Sequence, residues 1–262
     1  MSFKRVNSLL NIHYLNTIIP SKMRKSINKE INKDCKYISF DNVKSIFKNE
    51  INQIDLYGNN SNPKNLEHIY PQSFIKKHPL FKVMRSDMHN IYPCDNGMNS
   101  LRSNYKYISI EDYSKKNKNF KKIVNHNKEI INSIDEIILN QSNVMIIDSK
   151  LKLVIPNENA RGKIARSLGY FAIKYNLLDN LNNVIDLDTL IEWNINEPVT
   201  SPEYLKNILV YKYQNNINPF ILDPNLLVYS LSDYVNTEQY LIEKNTSDNM
   251  CDEYIITNLF KK

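Results

Sequence analysis

The most regular apolar pattern of the chain lies between Gly162 and Leu178, and it constrains the fold more than any other segment. Its apolar side chains recur three and four positions apart, which is the spacing that places them on one side of an α-helix. They are Ile164, Ala165, Leu168, Phe171, Ala172 and Tyr175. The pattern therefore predicts a helix over this segment, and it is the clearest helix of the chain.

Weaker helical patterns occur earlier in the chain. One has Asp41 as its N-cap, followed by apolar residues at helical spacing, which are Val43, Ile46, Phe47 and Ile51. Another is predicted to run from about Met98 to Tyr107. Its buried stripe is expected to consist of Met98, Leu101 and Tyr105.

A further helix is predicted to begin at Ser201-Pro202-Glu203, where a capping hydroxyl, a proline and an acid follow one another. Its apolar side chains are expected to be buried, and they are Tyr204, Leu205, Ile208 and Leu209. Two short apolar segments, Leu66 to Tyr70 and Asn143 to Asp148, are expected to be strands.

The formal net charge of the 262 residues is +6, but this charge is unevenly distributed. Between Lys64 and Lys122, twelve basic residues against five acidic ones give the middle part a charge of +7. From Asp223 onward, seven acidic residues and three lysines give −4. A basic middle part suits the binding of a polyanion such as nucleic acid. A lysine-rich chain also contains basic stretches without such a partner.

No apolar run approaches the ~18 residues that cross a bilayer, which excludes a membrane-spanning role. The three cysteines, Cys35, Cys94 and Cys251, are widely spaced and odd in number, so no disulfide framework is expected. No secretory signal is visible after Lys4 and Arg5. Together these features favour an intracellular location.

The first candidate for chemistry is the pair Glu67-His68, which ends a short apolar segment before Pro71. Neighbouring residues of an ideal strand point to opposite faces, but a strand end can bend and bring both side chains to one site. A neutral imidazole is a competent general base near pH 7, and a carboxylate is a good ligand for Mg²⁺. Taken alone, the pair fits a surface glutamate beside a half-buried structural histidine better.

The second candidate group lies between Asn96 and Asn104. Asn99 offers a neutral amide oxygen, which is a hard metal ligand, and Arg102 can bind a phosphate through two parallel hydrogen bonds. Because these residues are three positions apart, they share a face of the expected helix. Asparagine is so abundant in this chain that Asn99 alone indicates no function.

Several motifs follow one another in a fixed order along the chain. They are Glu67-His68-Ile69-Tyr70-Pro71, Asp87-Met88-His89-Asn90-Ile91-Tyr92-Pro93, Asn99-Ser100-Leu101-Arg102-Ser103-Asn104, Arg161-Gly162-Lys163-Ile164-Ala165-Arg166, the series Trp193, Pro198, Glu203 and Asn207, and Gln214-Asn215-Asn216-Ile217-Asn218-Pro219-Phe220. Together they resemble the bacterial endonuclease I family, non-specific nucleases of the ββα-metal or His-Me finger group. The resemblance covers roughly residues 54 to 222, and Asn215 stands where the family has glycine.

The resemblance implies a Mg²⁺-dependent endonuclease that hydrolyses phosphodiester bonds of DNA, and often of RNA, with little sequence preference. His68 would be the general base, Glu67 and Asn99 would hold a single Mg²⁺ or Mn²⁺, and the products would carry 5′-phosphate ends. Candidates for nucleic-acid binding, chosen by nearness in sequence, are Arg85, Arg102, Lys76 and Lys77. Structural support is expected from His89, Asn90, Asn104, Arg161 and Arg166.

The implied fold class is α+β, a mainly helical domain around a ββα-metal core with a small antiparallel sheet. We expect a helical N-terminal part at 1–53, a nuclease domain at 54–222 and an acidic C-terminal tail at 223–262. The sequence leaves the oligomeric state open.

Two other functions stay open at this point. One is a catalytically inactive nucleic-acid-binding protein that retains the nuclease fold. The other is an interaction protein that docks partners through its N-terminal part and its acidic tail. Cleavage that requires Mg²⁺ and stops with a chelator separates the nuclease from both.

Overall fold

The computed structural model of the chain describes residues 19–51, 55–58, 65–116, 123–125, 129–140 and 145–235. The helices in these ranges are α1 (Pro20–Asn32), α2 (Phe40–Glu50), α3 (Gln72–Ile75), α4 (Phe81–Arg85), α5 (Asn96–Arg102), α6 (Ile110–Lys116), α7 (Ile134–Asn140), α8 (Glu158–Tyr175), α9 (Leu178–Leu181), α10 (Leu187–Asn196), α11 (Ser201–Gln214), α12 (Pro219–Leu222) and α13 (Asn225–Leu231). The strands are β1 (Asn65–His68), β2 (Ile91–Cys94), β3 (Lys106–Tyr107), β4 (Ile123–Asn125), β5 (Ile130–Ile131), β6 (Ile146–Asp148) and β7 (Leu153–Ile155). A 3₁₀ turn at Met88–Asn90 precedes β2.

These elements form a mainly helical α+β fold, which confirms the expected fold class. Strands β1 and β2 pair antiparallel as a two-stranded sheet, and α5 follows β2 after one residue, so the three elements form a ββα unit. A second sheet has the strand order β3-β7-β6-β4-β5. It is mixed, because β3 runs parallel to β7 while the other pairs are antiparallel.

Helix α8 is the centre of the main core. It begins at Glu158 and ends at Tyr175, so the predicted helix is confirmed with its ends shifted by a few residues. All the apolar residues that predicted it are buried, and α1 and α10 pack against it. Its C-cap Asn176 adopts a left-handed conformation with φ 56°, and its N–H bonds the carbonyl oxygen of Ala172, which ends the helix.

Two predicted helices differ from the structure at their ends. Helix α2 is capped by Ser39 rather than by Asp41, since the Ser39 hydroxyl accepts a hydrogen bond from the Asn42 N–H. Helix α5 ends at Arg102 because Ser103 has φ 54°, so the helix predicted to continue to Tyr107 was too long. Leu101, expected in the buried stripe, is 41% exposed.

Helix α11 begins at Ser201 as predicted, but its cap is Thr200 and its predicted buried face was wrong. Leu205 is 53% exposed, and Tyr204 is only partly buried. The residues that face the interior are mostly polar, and they are Glu203, Lys206, Asn207, Val210 and Gln214. Polar groups are buried when they find hydrogen-bond partners, which hydrophobic spacing does not reveal.

The two strand predictions agree in place with β1 and β6, although β6 begins at Ile146 and residues 143–144 lie outside the described part. The three-part division of the chain stays a prediction. Apolar residues of α1 and α13 belong to the same core cluster as α8, and Arg24 of α1 bonds Asp233 after α13. Residues 1–18 and 236–262 lie outside the described residues. No helix within the described ranges has the length and apolar character to cross a bilayer.

At two motif positions, Gly162 and Asn215, the backbone explains which residue is found. A Cβ at Gly162 would lie 2.6 Å from Nη2 of Arg166 and 2.8 Å from the carbonyl oxygen of Glu197, so only glycine allows this close approach. Asn215 ends α11 with φ 57°, a left-handed conformation that glycine adopts freely and asparagine tolerates. The asparagine in place of the family glycine is therefore compatible with the same helix end.

A buried ion pair joins α8 to α11. Nε and Nη2 of Arg166 each donate a 2.7 Å hydrogen bond to the Glu203 carboxylate, and Nη1 donates to the carbonyl oxygen of Glu197 at 2.8 Å. Both side chains are at most 1% exposed. The pair places the Arg161–Arg166 motif and the Trp193 to Asn207 motif in one packed unit.

We expect Glu203→Gln to lower the free energy of unfolding by about 3–5 kcal/mol, because it leaves the Arg166 charge buried without its partner. Asp186→Asn removes the carboxylate of the partly exposed Lys106 pair and should cost at most about 1 kcal/mol. Urea unfolding of both variants beside the parent protein measures the difference. Equal losses in the two variants would contradict a structural role for the buried pair.

Candidate active site

One cavity of about 330 Å³ brings together five of the twelve residues selected from the sequence, which are Glu67, His68, Asn99, Arg102 and Asn104. It lies between the end of β1, the start of α3 and the end of α5. The lining residues are Leu66, Glu67, His68, Pro71, Gln72, Ser73, Asn99, Arg102, Ser103 and Asn104. Two motifs that are separated by about thirty residues in the chain therefore share one site.

The ββα unit holds these side chains in place. Pairing of β1 with β2 sets Glu67 opposite Tyr92 and His68 opposite Ile91. Helix α5 is fastened to β1 by two of the selected residues themselves. Nδ2 of Asn99 donates to the carbonyl oxygen of Leu66 at 3.1 Å, and Nη2 of Arg102 donates to that of Ile69 at 2.7 Å.

The His68 ring has a defined tautomer. Nε2 lies 2.8 Å from the carbonyl oxygen of Arg85, and since a carbonyl can only accept, Nε2 carries the proton. Nδ1 accepts a 3.1 Å hydrogen bond from Nε2 of Gln72, so it carries the lone pair. Burial lowers the pKa of His68 to about 4, which keeps the ring neutral at physiological pH.

Phe40, the first residue of α2, forms a wall beside His68. The two rings lie 5.5 Å apart between centroids, and the guanidinium of Arg85 lies 4.2 Å from the centroid of the same phenyl ring. Nε of Arg85 is buried and has no hydrogen-bond partner among the described residues. Phe40 and Gln72 were not predicted from the sequence; the only available signal was the position of Gln72 four residues after His68.

The Glu67 carboxylate is buried beside Arg102, with Oε1 lying 3.1 Å from Nη1. Burial raises the pKa of Glu67 to about 7, although the Arg102 charge acts in the opposite direction. Nη1 donates instead to the carbonyl oxygens of His68 and Ser103. Within the described part of the chain, Oε1 therefore lacks a hydrogen-bond donor and keeps acceptor capacity for a ligand.

The residues present fit a single hard divalent cation. The Glu67 carboxylate and the Asn99 amide line the same cavity, and the amide nitrogen of Asn99 is engaged by Leu66, which leaves its oxygen as the ligand atom. Mg²⁺ is commonly held by one or two protein oxygens and completes its shell with water and substrate phosphate. No group of three or more His, Cys, Asp or Glu side chains suited to a metal occurs in the described ranges.

The other residues selected for nucleic-acid binding occupy different positions. Arg102 is buried under the cavity at 1% exposure, while Arg85 stacks on Phe40 beside it. Lys76 and Lys77 are exposed on the turn after α3 and do not line the cavity.

The residues selected as supports make framework contacts. The Asn90 side chain accepts from the Tyr70 N–H at 2.7 Å and donates to the Tyr70 carbonyl oxygen at 3.2 Å. His89 donates from Nε2 to the carbonyl oxygen of Asn216, and burial lowers its pKa to about 3. Asn104 donates to the Ser73 hydroxyl at the rim of the cavity.

Arg161 and Arg166 lie further from the cavity. Nε of Arg161 donates to the carbonyl oxygen of Pro156, and its guanidinium lies 6.0 Å from the centroid of the Trp193 ring. Arg166 forms the buried ion pair with the Glu203 carboxylate. Neither lines the cavity, and their role as structural supports stays a prediction.

Asp87, which opens the second motif but was given no role from the sequence, is a buried carboxylate that holds the segment before β2. Asp87 is 2% exposed and accepts hydrogen bonds from Nζ of Lys174 at 2.7 Å and from Nε2 of Gln214 at 2.9 Å. It also accepts from the hydroxyl of Tyr175 and the N–H of His89. Burial alone would raise the pKa of Asp87, but the Lys174 ammonium and these donors hold it at about 2.

Comparisons with known proteins point to nucleases. The family model described as Endonuclease I matches residues 9–225. The chain is similar to the extracellular ribonuclease of Bacillus subtilis (strain 168), with 27% identity over 201 residues that cover 70% of this chain and 59% of that protein. It is similar to Endonuclease-1 of Buchnera aphidicola subsp. Acyrthosiphon pisum (strain APS), with 28% identity over 145 residues, 54% of this chain and 46% of that protein.

A third relative is the extracellular ribonuclease of Bacillus amyloliquefaciens, with 34% identity over 84 residues, 26% of this chain and 29% of that protein. The matched segments thus span between 29% and 59% of the length of these relatives.

The His68 geometry predicts a single neutral tautomer at pH 7, with the proton on Nε2 and the lone pair on Nδ1. Two-bond ¹⁵N–¹H correlation spectra of the imidazole rings measure this tautomer, and His68→Ala assigns the signal. A proton on Nδ1 would mean that the lone pair faces Arg85, which contradicts the arrangement described above.

Proposed function

The chain belongs to the endonuclease I family, and from that membership we propose that it is a Mg²⁺-dependent endonuclease that hydrolyses DNA, and also RNA, with little sequence preference. The observation that carries the proposal is the unprotonated Nδ1 of His68 in the cavity that Glu67 and Asn99 share. The names of two relatives, both extracellular ribonucleases, support RNA as a substrate, and DNA is the substrate that the family resemblance implies.

His68 is the general base of this proposal. Gln72, which donates to Nδ1, lines the cavity, so a water molecule that replaces this donor lies within reach of the lone pair. Nδ1 takes the proton of the water as its oxygen attacks phosphorus. The Arg85 carbonyl oxygen, which accepts from Nε2, then stabilises the positive ring that forms.

Glu67 and Asn99 would hold the cation, and the ion pair with Arg102 would orient the Glu67 carboxylate. When bound, Mg²⁺ supplies Lewis-acid stabilisation of the charge on the phosphoryl group and on the leaving 3′ oxygen. Burial raises the pKa of Glu67 to about 7, so binding of the cation would displace the proton that this carboxyl group partly holds near neutral pH.

Arg85 is the best of the four candidates for binding the scissile phosphate. Its guanidinium stacks on Phe40, and its buried Nε has no hydrogen-bond partner among the described residues. Arg102 already pairs with the Glu67 carboxylate and donates hydrogen bonds to three carbonyl oxygens. The exposed Lys76 and Lys77 attract more distant phosphates of the nucleic-acid backbone.

We expect His68→Ala to lower the rate of supercoiled-plasmid nicking in Mg²⁺ by ~10²-fold or more, because it removes the positioned base. DNA binding should remain nearly unchanged, since phosphate contacts supply most of the affinity. The matched control is His78→Ala, which changes a histidine outside the cavity. The nicking rate and electrophoretic mobility shift of the three proteins measure the two effects.

Nicking by His68→Ala at the parent rate would remove His68 from the chemistry. A folded parent protein that binds DNA in a salt-dependent way but cleaves neither plasmid DNA nor RNA in Mg²⁺ or Mn²⁺ would instead be an inactive nucleic-acid-binding protein. A protein that neither cleaves nor binds DNA or RNA would leave the interaction protein as the function.

We expect Glu67→Gln to raise the Mg²⁺ concentration for half-maximal nicking or to abolish nicking, because the amide replaces a charged ligand. Isothermal titration calorimetry without substrate should show weaker Mg²⁺ binding in Glu67→Gln, and Asn99→Ala should behave alike. Glu50→Gln, which changes an acid bonded to Lys212 outside the cavity, should bind Mg²⁺ like the parent. Unaltered Mg²⁺ binding in both cavity variants would exclude this ligand pair.

A further inference from the structure

A second cavity, of about 510 Å³, shares no lining residue with the cavity of the candidate active site, which we call the catalytic cavity. The ends of α1, α8 and α11 enclose it together with α4 and the segment 35–38 between α1 and α2. This volume lies within the ~300–1,000 Å³ that small-ligand sites occupy. We call it the linker cavity.

The outer wall of the linker cavity is apolar and open to solvent. Tyr37, Leu80 and Val83 line it, and they are 56%, 50% and 37% exposed. Large apolar side chains gathered at a cavity mouth indicate a binding surface more than scattered ones do. An exposed aromatic ring beside two aliphatic side chains suits the flat face of a nucleobase, because every base has a π face that can stack.

The floor of the linker cavity is polar but electrically neutral. Nζ of Lys174 donates to Asp87 at 2.7 Å, to the Tyr170 hydroxyl at 3.0 Å and to Sγ of Cys35 at 3.4 Å, so all three of its hydrogens are engaged. The lysine and aspartate charges cancel, which disfavours a charged ligand at this depth. The floor therefore suits a neutral ligand with polar edges.

Ser86 supplies a group that such a ligand can use. Its side chain lines the linker cavity at 3% exposure, and its hydroxyl has no hydrogen-bond partner among the described residues. A buried hydroxyl without a partner is costly, and a ligand with a donor or acceptor edge removes that cost.

The rim of the linker cavity carries one lysine. Lys36 lines the cavity with an exposed side chain. A lysine placed this way attracts the phosphates on either side of a bound base. Because the floor is neutral and the rim is cationic, we expect the base at the floor and its flanking phosphates at the rim.

We propose that the linker cavity binds an unpaired nucleobase of the substrate, with the base against Tyr37 and its flanking phosphates at Lys36. This inference rests on the proposed nuclease function and adds a preference for single-stranded DNA or RNA. A base inside a duplex is stacked and paired, so it cannot enter a cavity without leaving the helix.

The linker cavity is close enough to serve the catalytic one. Tyr37 and Phe40 are three residues apart, so their Cα atoms are separated by at most about 11 Å. Phe40 packs against His68, and Ser86 directly follows Arg85, whose carbonyl oxygen orients the His68 ring. One strand can therefore present a phosphate to His68 and a neighbouring base to Tyr37.

The test measures binding without cleavage, in full-length protein that carries His68→Ala and without divalent metal. Fluorescence anisotropy with a single-stranded oligonucleotide and with a duplex closed by hairpins compares the two substrates. We expect Tyr37→Ala to weaken single-strand binding by about 5- to 150-fold, the range for loss of one base stack. Duplex binding should change less than twofold, and Tyr37→Phe should retain the parent affinity because it keeps the ring.

The matched control is Tyr234→Ala, which removes a tyrosine of similar exposure that packs on Arg24 away from the linker cavity. Single-strand binding by Tyr37→Ala equal to that of the control would overturn the inference. Equal weakening on single strand and duplex would also overturn it, because the ring would then bind backbone rather than a base.

Plasmid nicking by protein with the native His68 is measured in parallel. Nicking that persists while Tyr37 has no effect rejects only the linker cavity. A Tyr37 effect without nicking supports the cavity and rejects the nuclease function.

Discussion

The structure depends on the neutralisation of one buried carboxylate. Asp87 lies in the segment between β1 and β2, and its donors come from three separate parts of the chain, Lys174 and Tyr175 at the end of α8, Gln214 at the end of α11, and the neighbouring His89 N–H. An unpaired carboxylate would be very costly at 2% exposure, so these elements have to meet around it. The hairpin that carries the candidate site is thereby anchored to the central helix.

The geometry of the candidate site follows from this anchor. Because Asp87 holds the chain just after α4, the Arg85 carbonyl oxygen is placed against Nε2 of His68, which determines the ring nitrogen that keeps its lone pair. Asn90, three residues after Asp87, holds both backbone groups of Tyr70 and so controls how the chain leaves β1. Buried polar contacts of this kind are rigid, because each broken bond leaves an unpaired group in the interior.

The sequence predicted the parts of the fold that depend on local spacing. The α8 helix, the β1 strand and the start of α11 follow from apolar periodicity and capping residues, which act within a few residues. The buried face of α11 was predicted wrongly, because Glu203 and Lys206 are buried by partners on other elements, Arg166 and the Met88 carbonyl oxygen. The apolar periodicity of a helix assigns such polar residues to its exposed face, since this pattern contains no information about distant partners.

The sequence by itself determined the order of the motifs, and with it the family and the residue types available for chemistry, since motif spacing is a property of the chain alone. Only the tertiary structure decided that Glu67, His68, Asn99 and Arg102 line one cavity, and that Arg85 and Phe40 stack beside it. Phe40 had no signal in the sequence, because an aromatic residue at a helix start looks the same whether it faces solvent, core or a catalytic ring. The physical reason is that local backbone preferences act over one turn or strand, whereas burial and hydrogen-bond satisfaction are decided between segments far apart in the chain.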